Sequence, residues 1–431
     1  MRIEFDVPEG IFRQLLGSVT IPRMAKVRFA QPTPEALPDL RQVVAARMEK
    51  RARSSINAGD RIAIGVGSRG INRLPEIVGA VVSELRAMGA HPFIVPAMGS
   101  HGGATADGQR QVLAHLGVTE ESVAAPIESQ MDTDVIGRTE GGTEVRMDRS
   151  ALGADGIVLI ARVKPHTAFH GTYESGMSKM LAIGLGKQAG AANTHAAGFG
   201  EMARIVPAMA SIALQRAPVR FAVAVLENAR DEVCELQVVP ANRILIEEPE
   251  LLERARNAMP QIPYQELDVL LIDEIGKNIS GDGADPNVTG RFPTPFATGG
   301  PSVNKQVVLA LTDAARGNAN GIGTADFTTI RLARKMSLAD TYPNALTSTV
   351  AGPVKLPMVL PSDRFALSAA LLTCNAVGRP PRMIRIKNTL RLDTFWISES
   401  LLDEVRGDPR QELLEGPMEM EFDAEGNLPG L

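Results

Sequence analysis

Residues 61–97 read RIAIGVGSRGINRLPEIVGAVVSELRAMGAHPFIVPA, and the order of apolar and polar residues in this stretch predicts the fold. Residues 61–66 and 92–97 are short apolar runs, which are typical of buried strands. Between them, residues 74–88 have apolar side chains at helical spacing and end at Gly89, a residue type that often follows a helix. The stretch is therefore a strand–helix–strand unit, the building block of a mostly parallel α/β sheet.

The same alternation continues along the chain. Residues 107–116 have a helical pattern, and apolar runs that predict strands follow at 156–163, 221–226 and 267–275. A chain of 431 residues is too long for one ordinary core. We predict an α/β fold of two domains, residues 1–264 as the N-terminal catalytic domain and 265–390 as the C-terminal domain. Residues 391–431 form a tail that could pack back on the first domain.

Composition limits the classes of function. The formal net charge of -5 provides no basic surplus to neutralise phosphates, so we expect no nucleic-acid partner. The opening MRIEFDVPEGIF lacks the pattern of a secretory signal, and no later apolar run is long enough to cross a membrane. Cys234 and Cys374 are the only cysteines, which suits a reducing compartment. We therefore expect a cytoplasmic protein with no membrane partner.

The glycine-punctuated stretch 164–195 holds three of the six histidines of the chain, His166, His170 and His195, together with three lysines. It follows a predicted strand, and open α/β sheets bind ligands at the ends of their strands. Imidazoles at such a position favour general acid and base catalysis near neutral pH. His166 and His170 are four apart, but Pro165 and Gly171 favour a loop, so this spacing is weak evidence for a metal site.

Two further positions have open alternatives. His101 in Gly99-Ser-His-Gly-Gly is either an accessible functional imidazole beside flexible backbone or a loop histidine that caps a helix. Lys179 precedes the apolar segment MLAIGLG, where the surroundings favour a neutral, nucleophilic amine, or it is simply an exposed lysine.

The loop GVGSRG at residues 65–70 lies between a predicted strand and a predicted helix. Its backbone N–H groups suit an anion, to which Arg69 would add a bidentate fork, and the alternative is a tight structural turn.

Four motifs together resemble the nickel-pincer lactate racemase family. They are GSRGINRLPEIV at 67–78, GSHGGATADGQ at 99–109, VKPHTAFHGTYESGMSKMLAIGLG at 163–186, and His195 downstream. The similarity extends over roughly residues 5–265 and is looser around EIGKNISGDGADPNVTGR at 274–291.

The resemblance implies two α/β domains with the active site in the cleft between them. It also implies a nickel-pincer nucleotide, a pyridinium-3-thioamide-5-thiocarboxylic acid mononucleotide that holds nickel. Lys179 matches the lysine to which this cofactor is covalently attached, and His195 matches the histidine that ligates nickel. Ser68 and Arg69 match the part of the family that binds the cofactor.

The activity that the resemblance implies is isomerisation of a 2-hydroxy acid by a racemase or epimerase. His101 and His166 match the two histidines that exchange protons with the substrate hydroxyl while hydride passes to the cofactor and returns to the opposite face of a planar 2-keto acid.

Departures from the family pattern predict a substrate other than lactate. Val66 replaces an acidic residue, and Gly102 and Gly103 follow His101 where the family has arginine and proline. The stretch from His166 to Lys179 is about three residues longer than in the family, so His170 and Glu174, which lie within it, are candidate substrate contacts. Lys277 is the best candidate for the lysine that holds the substrate carboxylate.

Two alternatives belong to other functional classes. One is a protein that binds a small anionic metabolite on the same scaffold without catalysis. The other is a zinc hydrolase that uses His166, His170 and His195. The oligomeric state stays open at this point.

Overall fold

A computed structural model describes residues 7–68 and 70–431, and it consists of two compact units. One unit is Thr33–Met259, and the other combines Pro260–Leu431 with the segment that ends at Pro32. Each unit has its own sheet, built mostly of parallel strands and packed with helices. The predicted α/β fold class is confirmed.

The strands, in chain order, are β1 (Met24–Phe29), β2 (Arg61–Val66), β3 (His91–Pro96), β4 (Thr133–Arg138), β5 (Glu144–Asp148), β6 (Gly156–Arg162), β7 (Val219–Glu227), β8 (Val233–Pro240), β9 (Glu266–Ile275), β10 (Ser302–Leu311), β11 (Phe327–Thr329), β12 (Met358–Leu360), β13 (Met383–Ile386), β14 (Thr394–Ser398) and β15 (Gln411–Met418). The α-helices are α1 (Glu9–Leu16), α2 (Leu40–Arg51), α3 (Leu74–Ala87), α4 (Ala106–His115), α5 (Glu120–Val123), α6 (Arg149–Leu152), α7 (Met177–Lys179), α8 (Lys187–His195), α9 (Met202–Arg216), α10 (Ile244–Ala258), α11 (Pro286–Thr289), α12 (Ile330–Lys335), α13 (Leu338–Ser348), α14 (Asp363–Thr373) and α15 (Leu402–Gly407). A π-helical turn, Met180–Gly184, follows α7.

The sheet of the Thr33–Met259 unit has the order β3-β2-β6-β7-β8. Its first four strands are mutually parallel, and β8 pairs antiparallel with β7. The chain moves outward in one direction from β2 to β3 and in the other from β6 to β7. The loops after β2 and β6 therefore flank the point where strand order reverses, and open α/β sheets bind ligands at that point.

Alternate residues of β2 face two apolar layers on opposite sides of this sheet. Ile62 and Ile64 belong to the cluster that includes Ile77 and Val81 of α3, whereas Ala63 belongs to the cluster on the other face. Both faces are covered, which is why β2 and β6 read as continuous apolar runs. Ile64 is fully buried, so replacing it with alanine would cost about 2–5 kcal/mol of stability.

The other unit contains a larger sheet of order β12-β11-β10-β9-β13-β14-β1-β15. The strands from β12 to β13 are parallel, and β14, β1 and β15 add antiparallel pairs at one end. Within residues 7–68 and 70–431, no helix combines the length and apolar character that crossing a bilayer requires.

The predicted domain limits differ from these units at both ends of the chain. Residues 24–29 belong to the predicted first domain, but Met24 pairs with Ser398 of β14 and with Met418 of β15. The predicted tail 391–431 contributes both partner strands to the same sheet and is not a separate segment. These partners lie 374 and 394 positions from Met24 (398 − 24 and 418 − 24), and such distant pairing leaves no local pattern in the sequence.

Candidate functional site

Three loops at the carboxyl edge of the Thr33–Met259 sheet carry the predicted site residues. Ser68 follows β2, His101 follows β3, and His166 follows β6. These strands are parallel, so their carboxyl ends lie at one edge although the loops are far apart in sequence. Arg69, predicted to bind the cofactor, lies outside the described residues.

Ser68 and His101 are in direct contact. The Ser68 hydroxyl and the Nδ1 atom of His101 form a short hydrogen bond. His101 is exposed, and it does not cap the helix that follows, because Thr105 does so by accepting a hydrogen bond from the N–H of Gly108 at 3.0 Å. The helix-capping alternative for His101 is therefore wrong.

Gln109 of α4 supports the backbone of the His101 loop by hydrogen bonds. The side chain of Gln109 is fully buried, and its Nε2 donates to the carbonyl oxygens of Gly99 at 2.8 Å and His101 at 3.3 Å. Gly102 has a φ of +68°, and a Cβ atom there would lie 2.5 Å from the carbonyl carbon of Gly108. An arginine at position 102 does not fit this turn, and the departure from the family pattern has a steric reason.

The loop that carries His166 is closed at its base by backbone hydrogen bonds between Lys164 and Ser175 of 3.0 and 3.3 Å. Glu174 organises its interior. The Glu174 carboxylate accepts from the N–H of His166 at 2.7 Å and of Gly171 at 3.0 Å, and it forms an ion pair with Arg256. The side chain of Glu174 is fully buried, so the prediction that it contacts substrate does not agree with the structure. Glu174 positions the loop instead.

The imidazole of His166 is oriented by its own loop. Its Nδ1 atom accepts a hydrogen bond from the N–H of Ala168 at 3.0 Å. In the neutral ring the proton therefore sits on Nε2. The ring packs on Phe169, with 4.4 Å between the ring centroids.

Phe199 connects His166 to His195. Its ring centroid lies 6.1 Å from that of His166 and 6.0 Å from that of His195, with which it stacks at 21°. Phe199 is buried, whereas both imidazoles are only partly buried. The structure thus brings His166 and His195 to the same aromatic side chain. Phe199 lies in the short connection between α8 and α9, which carries no functional motif, so the sequence does not indicate its role.

Lys179 ends the short helix α7 and is partly buried. The residue before it, Ser178, is anchored by Glu248 of α10, whose Oε2 accepts from the Ser178 N–H at 2.9 Å and from the Ser178 hydroxyl. Glu248 is almost fully buried, and burial raises its pKa to about 7. The buried carboxyl group of Glu248 therefore anchors the turn that carries Lys179.

The π-helical turn after Lys179 lies against the His101 loop. The N–H of Gly99 donates to the carbonyl oxygen of Gly184 at 3.1 Å. A Cβ atom at Gly184 would lie 2.7 Å from the carbonyl oxygen of Ala97, so only glycine permits this approach. π-Helical turns of this kind occur frequently at functional sites.

The remaining predicted contacts are placed as follows. His170 lies in the His166 loop and is partly buried. Lys277 belongs to the other unit, where it follows β9 and its ammonium donates to the carbonyl oxygen of Gly281 at 2.7 Å. Substrate binding by His170 and Lys277 stays a prediction.

A protein metal site needs several donor side chains close together. Among the residues that the structure describes, no three His, Cys, Asp or Glu side chains lie together as a metal-binding group. The zinc alternative, which requires His166, His170 and His195 to meet, therefore lacks structural support. The nickel cofactor that the resemblance implies would require only one imidazole, His195, and one amine, Lys179, from this chain. A partly exposed imidazole at His195 suits nickel, and a partly exposed amine at Lys179 suits covalent attachment, so the residues present fit that group.

Comparison with known proteins gives one family. Residues 18–205 match the family model of the lactate racemase N-terminal domain. The structure of the lactate racemase apoprotein from Thermoanaerobacterium thermosaccharolyticum is similar at a TM-score of 0.42, with 12% sequence identity over 67% of this chain and 73% of that chain. No curated protein sequence matches the chain. The matched residues 18–205 include Ser68, His101, His166, Lys179 and His195, so the similarity to the lactate racemase N-terminal domain covers the candidate site.

Proposed function

We propose that this protein is a nickel-dependent racemase or epimerase of a 2-hydroxy acid other than lactate, working in the cytoplasm. The observation that carries the proposal is the way in which two imidazoles are held. His101 is bound through Nδ1 to Ser68, and His166 is bound through Nδ1 to the N–H of Ala168. Each ring is oriented through the same atom, so Nε2 is the atom to which we assign proton exchange with the substrate.

Inversion of a 2-hydroxy acid needs a group that handles the hydroxyl proton on each face of the reacting carbon. One imidazole accepts this proton as the carbon becomes planar, and the other returns a proton when the opposite configuration forms. Glu174 and Gln109 keep the two imidazole-bearing loops in place from positions that are fully buried. The Phe199 ring contacts both His166 and His195.

Lys179 would hold the nickel-pincer nucleotide covalently, and His195 would ligate its nickel. When bound there, the cofactor supplies a reversible hydride acceptor, which the side chains of the chain do not provide. Ser68, which follows β2, and its sequence neighbour Arg69 are our candidates for cofactor contact, and His170 and Lys277 remain our candidates for substrate contact.

The test of the cofactor assignment is intact-mass spectrometry with nickel analysis. The protein is produced together with the enzymes that make the cofactor, and we expect a mass increment on Lys179 and about one nickel per chain. Lys179→Ala should abolish both, whereas Lys50→Ala, an exposed lysine of the same unit, should abolish neither. Wild-type protein with neither increment nor nickel under these conditions would rule out the cofactor assignment.

The substrate is sought with a panel of enantiopure 2-hydroxy acids, read by chiral chromatography. We expect conversion of an acid larger or more polar than lactate, and loss of conversion in His101→Ala with the cofactor still attached. Loss of either general acid or base typically costs 10²–10⁴-fold in rate.

A second candidate is a non-catalytic protein that binds a small anionic metabolite. It is favoured by the turn at Gly102, which has no room for the arginine of the family pattern and so removes one cation from the site. If ligands raise the melting temperature of the nickel-loaded protein and none is racemised, this account replaces the first.

A further inference from the structure

Lys187 is a fully buried lysine that the proposed mechanism does not use. Its ammonium group donates to the carbonyl oxygen of Pro96 at 2.5 Å and to Oε1 of Gln109 at 3.1 Å, and it pairs with Oδ2 of Asp148 at 3.2 Å. An ammonium group has three donors, and the three acceptors use all of them. Lys187 therefore has a specific environment in the interior of the Thr33–Met259 unit.

The partners of Lys187 lie on the elements that build the candidate site. Lys187 is the first residue of α8, and the last residue of that helix is His195. Pro96 ends β3, from which the His101 loop leaves. Gln109 accepts from Lys187 through Oε1 and, through Nε2, donates to the carbonyl oxygens of Gly99 and His101. A single ammonium group thus connects the helix of His195 to the loop of His101.

This arrangement is poorly explained by stability alone. A buried ion pair must overcome the cost of removing both charges from water, and apolar side chains of similar size often serve as well or better. Burial lowers the pKa of Lys187 and raises the pKa of Asp148, while the charge of each partner opposes the shift. The backbone of Lys187 adds a further cost, because its φ of +52° lies in the left-handed region that non-glycine residues seldom occupy.

We propose that Lys187 is a positioning residue that holds the His101 loop in register with the helix that carries His195. The proposal rests on the function assigned above. With the ammonium in place, the Gln109 carboxamide can point only its oxygen at Lys187 and its nitrogen at the loop carbonyls. Without it, the carboxamide loses the contact that selects this orientation, and His101 loses its fixed position beside Ser68.

The test uses Lys187→Met, which keeps the length of the side chain and removes the ammonium. The chain has six histidines, so imidazole ¹⁵N NMR of the protein without cofactor can resolve and assign them by single substitutions. We expect the Nδ1 resonance of His101 to move toward that of a freely exposed imidazole, while the His166 resonances stay in place. In the loaded enzyme we expect kcat to fall about 100-fold with little change in KM, since a 1 Å misplacement can cost that much.

Gln109→Leu is the second arm, because it breaks the same link while Lys187 and Asp148 stay paired. This variant should give the same shift of the His101 resonance. The double variant Lys187→Met with Gln109→Leu should show no larger shift and no lower kcat than the single variants, since the effects of residues that act through one contact are not additive. If Lys187→Met fails to fold, Asp148→Asn carries the test, because it removes the charge that pairs with the Lys187 ammonium while Gln109 keeps its own hydrogen bonds to the loop, and it should shift the His101 resonance in the same direction. An unmoved His101 resonance in a folded variant, or additive effects, would overturn the proposal.

Arg331→Met serves as the matched control. Arg331 pairs with the buried Asp363 at 2.7 and 2.8 Å in the other unit, so its loss should lower stability without moving His101. The NMR readout needs neither cofactor nor substrate. A wild-type enzyme that racemises nothing would therefore contradict the proposed function and leave the positioning role of Lys187 to be decided by the His101 resonance.

Discussion

The Ser68 hydroxyl binds the Nδ1 atom of His101, although the two residues lie 33 positions apart and follow different strands. We expect Ser68→Ala to reduce racemase activity about tenfold, since one hydrogen bond of this kind contributes about 1–1.5 kcal/mol. The melting temperature should change little because both side chains lie near the surface. The measurement is steady-state kinetics with a thermal melt, and Ser54→Ala, an exposed serine of the same unit, is the control. Equal activity of the two variants would contradict the role given to Ser68.

Glu174→Gln should destabilise the His166 loop. The amide retains one acceptor but places an N–H group opposite another donor and removes the charge that pairs with Arg256, so we expect a loss of about 2 kcal/mol in the free energy of unfolding. Urea unfolding measures this loss. Glu253→Gln is the matched control, because Glu253 pairs with the same Arg256 but is largely exposed, and its loss should be below about 0.5 kcal/mol.

Glu248 makes stability depend on pH near neutrality. Burial raises its pKa from 4.5 to about 7, so the folded state holds a proton that the unfolded state has released. This contribution is complete below pH 4.5 and is lost as the pH rises through 7. The wild type therefore loses stability as the pH rises, and Glu248→Gln does not. We expect the free energy of unfolding of Glu248→Gln, relative to that of the wild type, to rise by about 2–3 kcal/mol from pH 5 to pH 8.

Urea unfolding at the two pH values tests the role of Glu248. Glu247→Gln is the control, since the pKa of Glu247 is lowered by its hydrogen bond from Arg51 and this residue does not titrate in that range. A difference between Glu248→Gln and wild type that does not grow with pH would contradict the assignment.

His195→Ala should separate metal binding from cofactor attachment. The mass increment on Lys179 should persist, because attachment does not use the imidazole, while nickel per chain should fall about tenfold or more. His115→Ala is the control, since His115 is exposed on α4 and binds only the carbonyl oxygen of Gln111 in the described structure. Nickel retained in His195→Ala would mean that another residue is the ligand.

The amino-acid sequence by itself determined the local elements of the Thr33–Met259 unit. The apolar run at 61–66 coincides with β2, and the helical pattern at 74–88 agrees with α3 to within one residue. Such periodicity reports burial on one or both faces, which is a local property. The placement of histidines and Lys179 after strands likewise indicated a site at the carboxyl edge of the sheet, and the motifs there indicated the family that matches residues 18–205.

Only the tertiary structure decided which residues meet. Strand β1 joins the sheet of the other unit because its partners β14 and β15 lie at the far end of the sequence. The sequence suggested that Glu174 contacts substrate, but its carboxylate is buried and binds its own loop and Arg256. The sequence of an inserted segment does not reveal the direction in which the Glu174 side chain points. Phe199 and Lys187 carry no motif, and their roles come from contacts with residues distant in sequence. Periodicity records how much a residue is buried, whereas the partner against which it is buried depends on the packing of the whole unit.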